Sequence, residues 1–405
     1  MHHQCCKKKE AADTSDTTLA SWNGWRGNGR NGRVTWLPNR LPKKTNVIWE
    51  IDLAREGLGG IAANESFVVF GDRDFDDLHD VFYCLDAKTG RSIWQVERLS
   101  IAQFDYGNSP RATPLIVDGF CYCFGATGIL LCIEMRTGRV VWERDFRLDF
   151  PITEELPWGH CGSPLIADGK LIVSPGNPDA AIVALNPNSG ATIWQTTGRL
   201  PGYGSHCFAK IGGRGQIIGH DNTTLGGWDV ETGERLWTIE PNAPGDFNVP
   251  TPVVHGDNLI VCTRNNGTRR FSFSGGFDQP KLVTQNKRLR PDMTTPVVAG
   301  HYLYCVRDFV YCLDISSGLD ELWRMRAPAL SDYASLFVSA DRVMIVADGE
   351  ILLFATDGTK RVIDRLKIFE KRAPIYSHPA IVGRRLYVRG VSKLRCIDLG
   401  SASEN

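Results

Sequence analysis

The chain has 405 residues, 42% of them hydrophobic, and its 46 basic residues are balanced by 46 acidic ones. This length and composition allow a large buried core, which excludes a disordered or fibrous protein, and the zero net charge provides no overall field that attracts nucleic acid or an anionic membrane. No stretch approaches about 18 consecutive apolar residues, so we expect no transmembrane segment.

Residues 1–20 have the composition of a disordered tail and contain no apolar segment typical of a secretory signal. The tail carries Cys5 and Cys6, followed by a charged stretch rich in Ser and Thr. This order resembles the start of a mature bacterial lipoprotein, although the residues before Cys5 do not match a lipobox. We expect a protein of the periplasm or cell envelope, with a lipid anchor as one option and a cytoplasmic location as the alternative.

A motif of about a dozen residues then recurs along the chain. Its first clear copy reads YCLDAKTGRSIW, residues 83–94. The copies are separated by about 45 residues, a period typical of a propeller blade rather than of a helical solenoid. Their turn glycines are Gly90, Gly138, Gly190, Gly233, Gly318 and Gly358, with a degraded copy near Gly275 or Gly276.

The third copy indicates how each repeat is built. Four short β-rich runs, SPLIA, KLIVS, AAIVALN and ATIWQ, alternate with the turn residues DG, GNPD and NPNSG. Apolar residues follow the strand period, and no stretch has a convincing helical period. Each repeat is therefore predicted to be a four-stranded antiparallel blade.

The two ends of the repeat region complement one another. The last run, residues 393–399, lacks the usual following strand, and residues 46–53 supply a strand of that type. Pairing them would close the ring and remove its open edges. We predict one all-β domain over residues 46–399, an eight-bladed β-propeller whose N-terminal strand closes the last blade, with residues 21–45 as a leader packing on it and 400–405 as a tail.

The residues shared by the copies are predicted to be structural. An acidic or amide side chain four positions before the turn glycine accepts hydrogen bonds from the turn, and the glycine supplies a positive φ. A large ring once per blade would fill the wedge between neighbouring blades. The rings are Trp49, Trp94, Trp142, Trp194, Trp237 and Trp323.

The pattern A-x-x-x-TG-x-x-x-W, after a strand ending in Leu-Asp, resembles the repeats of pyrroloquinoline quinone (PQQ)-type β-propellers. The leader SWNGWRGNGRNG, residues 21–32, is similar to the start of PQQ-like repeat proteins of planctomycete-type bacteria. The resemblance covers residues 21–399. It implies eight blades and a location outside the cytoplasm, but the fold is shared by quinoprotein dehydrogenases and by the propeller lipoprotein of the outer-membrane barrel assembly machinery, so it does not choose a function.

A quinoprotein activity is the less favoured implication of this resemblance. In that family adjacent cysteines form a ring over the quinone, and Glu, Asn and Asp bind calcium. The only adjacent cysteines of this chain, Cys5 and Cys6, lie in the tail, and the chain has no room for the insertions those enzymes carry. We expect no catalytic residue and no cofactor, PQQ with calcium included.

The cysteines are better explained by packing than by chemistry. Cys84, Cys132 and Cys312 stand six residues before a turn glycine, where two other copies have alanine or glycine, so the position selects a small buried side chain. No C-x-x-C pair has a partner of the kind that binds zinc, so we predict no metal site. Two-residue hairpin loops at 127–128 and 308–309 would place Cys123 opposite Cys132 and Cys305 opposite Cys312, and either pair could then oxidise outside the cytosol.

Candidate ligand-binding residues lie in the connections that lead into the innermost strands, because these connections converge around the central channel. A solvated channel also explains polar residues without any ligand, and both interpretations stay open. Separately, residues 263–276 and 287–291 form a basic departure from the repeat, either a partner-binding edge or repeat decay. The predicted rim consists of Arg111, Trp158, His160, His206, Asp246, Asn248, Asp292, Asp332, Tyr333 and His378.

Three functions from different classes remain. The first is a non-catalytic binding or scaffolding propeller that holds a protein or peptide, which demands least beyond the sequence. The second is a PQQ-dependent oxidoreductase. The third is a carbohydrate-binding or carbohydrate-processing propeller with Trp158 and Tyr333 as stacking platforms. We expect a monomer with a protein or peptide partner, a glycan as the alternative ligand, and no nucleic acid.

Overall fold

Eight four-stranded antiparallel sheets make up the architecture, and each sheet is one blade of a β-propeller. The structure is a computed structural model that describes residues 21–152, 154–326, 333–370 and 375–400. These residues contain 32 strands and one short helix, α1 (Phe146–Asp149), and none of their helices is long and apolar enough to cross a membrane. The predicted all-β, eight-bladed fold is confirmed.

The strands follow one another in chain order, blade by blade. Strand β1 (Asn46–Asp52) belongs to the last blade. Blade 1 contains β2 (Ala62–Ala63), β3 (Phe67–Arg73), β4 (His79–Asp86) and β5 (Ser92–Leu99); blade 2 contains β6 (Leu115–Val117), β7 (Phe120–Phe124), β8 (Ile129–Glu134) and β9 (Val140–Asp145); blade 3 contains β10 (Leu165–Ala167), β11 (Lys170–Val173), β12 (Ile182–Leu185) and β13 (Thr192–Thr196); blade 4 contains β14 (Cys207–Ile211), β15 (Arg214–His220), β16 (Leu225–Asp229) and β17 (Arg235–Ile239).

The second half of the ring repeats the arrangement. Blade 5 contains β18 (Val253–His255), β19 (Asn258–Thr263), β20 (Gly267–Ser272) and β21 (Lys281–Asn286); blade 6 contains β22 (Val297–Ala299), β23 (Tyr302–Arg307), β24 (Phe309–Asp314) and β25 (Asp320–Arg326); blade 7 contains β26 (Ser335–Val338), β27 (Arg342–Ala347), β28 (Glu350–Ala355) and β29 (Val362–Lys367); blade 8 contains β30 (Ala380–Val382), β31 (Arg385–Arg389) and β32 (Lys393–Asp398), completed by β1.

The ring is closed by pairing of the two ends of the propeller sequence. Strand β1 runs antiparallel to β32, with Trp49 opposite Cys396 and Glu50 opposite Arg395. The sheet order is β1-β32-β31-β30, so the N-terminal strand is the outermost strand of blade 8. The predicted closure of the last blade is confirmed.

The topology divides the connections between two faces. In each antiparallel blade the first and third strands run in one direction and the second and fourth in the other. The connections into the innermost strands and those between second and third strands therefore lie on one side, which we call the upper face. The hairpins with the repeated turn glycines lie on the opposite, lower face.

Five of the six repeated tryptophans link their blade to the next. Trp94 Nε1 donates to the Met135 carbonyl oxygen of blade 2 at 2.7 Å, and a Cβ added to the turn residue Gly138 (φ 73°) would lie 2.6 Å from the Trp94 side chain. Glycine is required there for both its conformation and its size. Trp49, Trp142, Trp194 and Trp323 make the equivalent bond to the following blade, whereas Trp237 donates to Gln216 within its own blade.

The predicted opposition of cysteines is wrong. Cys132 pairs with Tyr122 and Cys312 pairs with Tyr304, so each predicted partner, Cys123 or Cys305, is one residue out of register. The loop of blade 2 spans residues 125–128, and in blade 6 the reversal takes place at Asp308 alone (φ 58°), so neither hairpin has the assumed two-residue loop. A shift of one residue turns a side chain to the other face of the sheet.

The leader lies in the central channel, because it contacts the innermost strand, or the residues leading into it, in all eight blades. Trp22 pairs with Ala63 of blade 1, and the Asn23 carbonyl oxygen accepts from Ile116 of blade 2. The remaining partners are Ser163 and His206 for Arg30, Thr251 for Trp25, Pro296 for Arg26, Val338 for Val34, and His378 for the rings of Trp22 and Trp25.

Two arginines hold the leader in place. Arg26 is 1% exposed, and its Nη2 donates to the Pro296 carbonyl oxygen at 2.6 Å. Arg30 is 6% exposed and donates to the His206 carbonyl oxygen at 2.7 Å and to the carbonyl oxygens of Ser163 and Pro164. Burial lowers the pKa of both guanidinium groups to about 10. Both still carry their charge at neutral pH, and main-chain oxygens of blades 3, 4 and 6 solvate it.

Candidate functional site: the upper face

The predicted rim residues fall into several environments on the upper face. Asp332 lies outside the described residues. The histidines, Arg111 and Asn248 are buried, two aspartates are held by neighbouring polar groups, and Trp158 belongs to a group of aromatic side chains.

The three rim histidines are buried beneath the surface. Nε2 of His160 lies 2.9 Å from the Pro175 carbonyl oxygen and Nδ1 3.2 Å from that of Ala126. Burial lowers the pKa of all three, to about 4 for His206 beside Arg30 and to about 3 for His378, which lies between the leader rings. Neutral, buried imidazoles that pack against the chain itself are structural groups in this geometry.

Arg111 and Asn248 organise their own connections. Arg111 donates to the carbonyl oxygens of Ser109 at 2.6 Å and Gly107 at 2.6 Å, and its guanidinium lies 5.0 Å from the ring of Phe104. Asn248 has a positive φ of 56°, and its Nδ2 donates to the Asp221 carbonyl oxygen at 3.1 Å. These side chains fix the shape of the connections.

The remaining predicted residues include Tyr333, whose ring centroid lies 6.4 Å from that of Tyr376. Burial raises the pKa of the Tyr333 phenol to about 12. These two rings come from the connections into blades 7 and 8, and Trp158 comes from the connection into blade 3. The structure does not record a contact between Trp158 and Tyr333.

Trp158 is the centre of four aromatic rings, which we call the aromatic cluster: Tyr106, Trp158, Tyr203 and Phe247. The ring centroids of Tyr203, Phe247 and Tyr106 lie 4.5, 4.7 and 6.3 Å from that of Trp158. The four come from the successive connections into blades 2, 3, 4 and 5. Tyr106 is 77% exposed and Phe247 50% exposed, so the cluster presents apolar surface to solvent.

Three cluster residues, Tyr106, Tyr203 and Phe247, were missed by the sequence reasoning. A signal was present, because each cluster aromatic is followed by glycine or asparagine: YG, WG, YG and FN. The residue after the aromatic has a positive φ in three of the four connections, at Gly107, Gly159 and Asn248. This conformation turns the chain sharply beside the ring.

Exposed acidic residues lie near the cluster residues along the chain. Asp105 precedes Tyr106 and is exposed, as are Glu154 and Glu155, which lie just before Trp158. Next to these connections, the loop between β3 and β4 carries exposed Asp76 beside Phe75, which is 80% exposed. The upper face of blades 1 to 4 thus combines exposed apolar side chains with an excess of acidic over basic residues, since the same connections also carry exposed Arg147 and Arg199.

Blades 5 and 6 carry the opposite charge on the same face. We call Arg264, Lys287, Arg288, Arg290 and Arg307 the basic patch. Arg307 donates to the Arg290 carbonyl oxygen at 2.6 Å, and Arg290 donates to that of Lys287 at 2.7 Å. The predicted rim residue Asp292 lies between Arg307 and Arg264, 3.1 and 3.8 Å away.

Asp246 joins the two regions. Its carboxylate accepts from the Asn265 amide and from Asn266 Nδ2, both at 2.7 Å. Phe247 of the aromatic cluster follows Asp246 directly, and Arg264 of the basic patch directly precedes Asn265. The connection that carries Phe247 is therefore hydrogen-bonded to the loop that carries Arg264.

The leader occupies the interior of the channel. Its side chains Trp22 and Arg26 are each 1% exposed there. A cavity beside His206 and His220 has a volume of about 10 Å³, the space of a single water molecule. Within the described ranges no group of three or more His, Cys, Asp or Glu side chains could hold a metal ion.

The sequence matches a known protein family, and the fold matches solved structures. The family model described as "Outer membrane protein assembly factor BamB" matches residues 31–197 and 80–320. The chain is 23% identical over 187 residues to BamB of Yersinia pestis, covering 45% of this chain and 43% of that protein. It is also 26% identical over 202 residues to a 1-butanol dehydrogenase (cytochrome c) of Thauera butanivorans, covering 47% of this chain and 28% of that enzyme.

Both matches span less than half the length of the curated relatives. The crystal structure of BamB from Moraxella catarrhalis superposes with a TM-score of 0.62 at 16% identity, covering 87% of this chain and 99% of that one. At this identity the superposition establishes the shared propeller fold and no activity.

Proposed function

The chain belongs to the family of the outer membrane protein assembly factor BamB, and from this premise we propose that it is a non-catalytic binding propeller that holds a protein segment on its upper face. We place it at the bacterial cell envelope, where its family relative assists outer membrane protein assembly. The observation that carries the proposal is the aromatic cluster, four rings from four successive blades that present apolar surface to solvent.

Rigid aromatic side chains on firmly held connections are well suited to recognition. Aromatic residues supply large contact areas at a low cost in conformational entropy and are enriched where proteins bind other proteins. The connections of the cluster are fixed by Arg111, by His160 and by the two bonds of Asp246. A preorganised surface loses little entropy when it binds.

The alternative of a PQQ-dependent oxidoreductase is supported by the dehydrogenase among the relatives. The position of the leader argues against it, because Trp22 and Arg26 occupy the interior of the channel. The glycan alternative shares the aromatic cluster as a stacking platform, so the same test must include it.

The test compares two variants in cross-linked affinity capture from a native cell-envelope lysate. In the first, Tyr106→Ala and Phe247→Ala remove the exposed rings of the cluster. In the matched control, Ile193→Ala and Leu282→Ala remove side chains of similar exposure, 48% and 49%, from the outer strands β13 and β21. We expect one protein partner to be retained by wild type and control and lost by the cluster variant.

Three results would overturn the proposal. A partner captured equally by all three proteins would place binding elsewhere on the propeller. A quinone absorption band that saturates at one equivalent when PQQ and calcium are added to the wild type would favour the oxidoreductase. Retention on an immobilised glycan that depends on Tyr106 and Phe247, with no protein captured, would favour the carbohydrate function.

A further inference from the structure

The charges around the aromatic cluster specify the partner further than the cluster alone. Exposed acidic residues predominate in the connections that carry the rings and in the neighbouring β3–β4 loop, among them Asp76, Asp105 and Glu154. Blades 5 and 6 present the basic patch on the same face. A ligand of uniform charge would be attracted at one end of this surface and repelled at the other.

Much of the basic patch is available to a ligand. The Arg264 and Arg288 side chains are 57% and 73% exposed and lie 3.8 and 3.9 Å from the carboxylates of Asp292 and Glu321. These distances are longer than a charge-assisted hydrogen bond. Lys287 and Arg290 are exposed as well. The patch therefore has donors to spare for a further acidic group.

The shape of the surface also limits the ligand. The cluster comes from the connections into blades 2 to 5, and the patch from the connection into blade 6, the β19–β20 loop and the end of β23, so together they follow an arc around the mouth of the channel. Asp246, next to Phe247, accepts from the Asn265 amide and so joins the connection of the cluster to the loop of Arg264. An extended polypeptide can follow such an arc and contact each connection in turn, as peptides do in other grooves.

We propose that the upper face binds an extended polypeptide segment of segregated charge, with an apolar, basic part over the aromatic cluster and an acidic part over the basic patch. This inference rests on the proposed function and adds the chemistry of the partner. A nucleic acid would meet the acidic residues beside the rings, where its phosphates would be repelled.

The experiment uses the full chain and three fluorescein-labelled peptides of 12 residues in anisotropy titrations at low salt. In the first peptide one half contains lysines and a Trp-Leu pair, and the other half contains aspartates. The second has the same composition with lysines and aspartates alternating, and the third replaces Trp and Leu of the first by Ser. We expect the first peptide to bind at least about fivefold more tightly than either other, from two or three exposed charge pairs and the apolar contact.

A charge-reversal variant identifies the site. Arg288→Glu with Arg290→Glu should weaken binding of the first peptide by about tenfold, since attraction becomes repulsion. A fourth peptide has the sequence of the first with lysines in place of the aspartates. It should bind the variant about as tightly as the first peptide binds the wild type. The matched control is Lys360→Glu with Arg361→Glu, an equal change in charge at exposed positions on the lower face, which should leave affinity unchanged.

The results separate failure of the peptide inference from failure of the proposed binding function. Equal affinity for segregated and alternating peptides, or no detectable binding of any peptide, overturns the inference. If capture of a partner still depends on Tyr106 and Phe247, the proposed function survives that failure; if it does not, both fail. A short single-stranded oligothymidylate that binds more tightly than every peptide overturns the inference in favour of nucleic acid.

Discussion

The central channel and the upper face are both built from residues that differ between blades, yet they use them in opposite ways. In the channel, Arg26, Arg30 and His378 are buried and bonded to, or packed against, other parts of the chain. On the upper face, Tyr106 and Phe247 are exposed over half or more of their surface. A departure from the repeat therefore indicates a ligand surface only where its side chains are not already bonded to, or packed against, another part of the chain. In the channel the leader makes those contacts.

The largest expected effect separates these regions by stability. Replacing Arg26 or Arg30 by Ala leaves main-chain carbonyl oxygens without donors and a cavity at the axis of the ring. We expect each change to cost about 3–5 kcal/mol of unfolding free energy, because a buried acceptor left without a donor costs about 1–3 kcal/mol and the cavity adds to that cost. Thermal unfolding followed by circular dichroism measures the effect.

The control for this prediction lies in the same leader. Arg40 is 73% exposed and pairs with Asp364 at 3.5 Å, so Arg40→Ala should change stability by less than about 1 kcal/mol. An unfolding temperature for Arg26→Ala that equals that of Arg40→Ala would show that the leader does not hold the blades together.

The second prediction concerns pH. The pKa values of His206 and His378 are lowered in the folded state to about 4 and about 3 because they are buried. Below pH 6.5 the unfolded chain binds protons that the folded chain does not, so stability is complete above that pH and falls as pH decreases towards 4. Each histidine contributes a slope of about 1.4 kcal/mol per pH unit in this window.

Asp80 acts in the opposite direction, since burial raises its pKa to about 6 and the folded state gains a proton there as the pH falls. The test is therefore a difference. The dependence of the unfolding temperature on pH between 6 and 5 should be shallower in His378→Gln than in the wild type. Parallel curves would mean that His378 is protonated alike in both states, against its burial between the leader rings.

The contrast between channel and upper face also explains what the sequence predicts well. The 45-residue period, the turn glycines and the ring of tryptophans are local patterns, and they predict eight blades and the pairing of β1 with β32. Register depends on the conformation of single turn residues such as Asp308. For this reason Cys305 lies one residue away from the predicted position opposite Cys312. The contacts of the leader could not be predicted from local patterns, because the partners of Arg26 and Arg30 lie far along the chain in blades 3, 4 and 6.

The aromatic cluster illustrates the same limit on the functional side. Trp158 was predicted as a rim residue, but its neighbours Tyr106, Tyr203 and Phe247 come from three other connections. Their meeting depends on the length and turn of each connection. Of the other predicted residues, the structure assigns structural contacts to Arg111, to Asn248 and to the three histidines.

A third prediction tests whether the cluster is a unit. Trp158 is partly buried and contacts three rings, so Trp158→Ala should cost about 1–3 kcal/mol from lost aromatic contacts and area. It should also abolish partner capture, because the remaining rings lose their common support. Stability equal to the wild type would mean that the other rings hold their positions alone.

The smallest expected effect on stability belongs to the most exposed rings. Tyr106→Ser removes a ring that is 77% exposed, so the unfolding free energy should change by less than about 0.5 kcal/mol. Phe247→Ser should cost about 1 kcal/mol, because half of this ring is buried and it contacts Trp158 at 4.7 Å. Partner capture should nevertheless be lost, since these rings supply the accessible contact area. Substitution of the channel arginines should instead lower the unfolding free energy strongly. The two experiments together therefore separate residues that stabilise the fold from residues that bind the partner. If Tyr106→Ser destabilised the protein as strongly as Arg26→Ala, the exposed ring would belong to the core and the division between the two regions would be wrong.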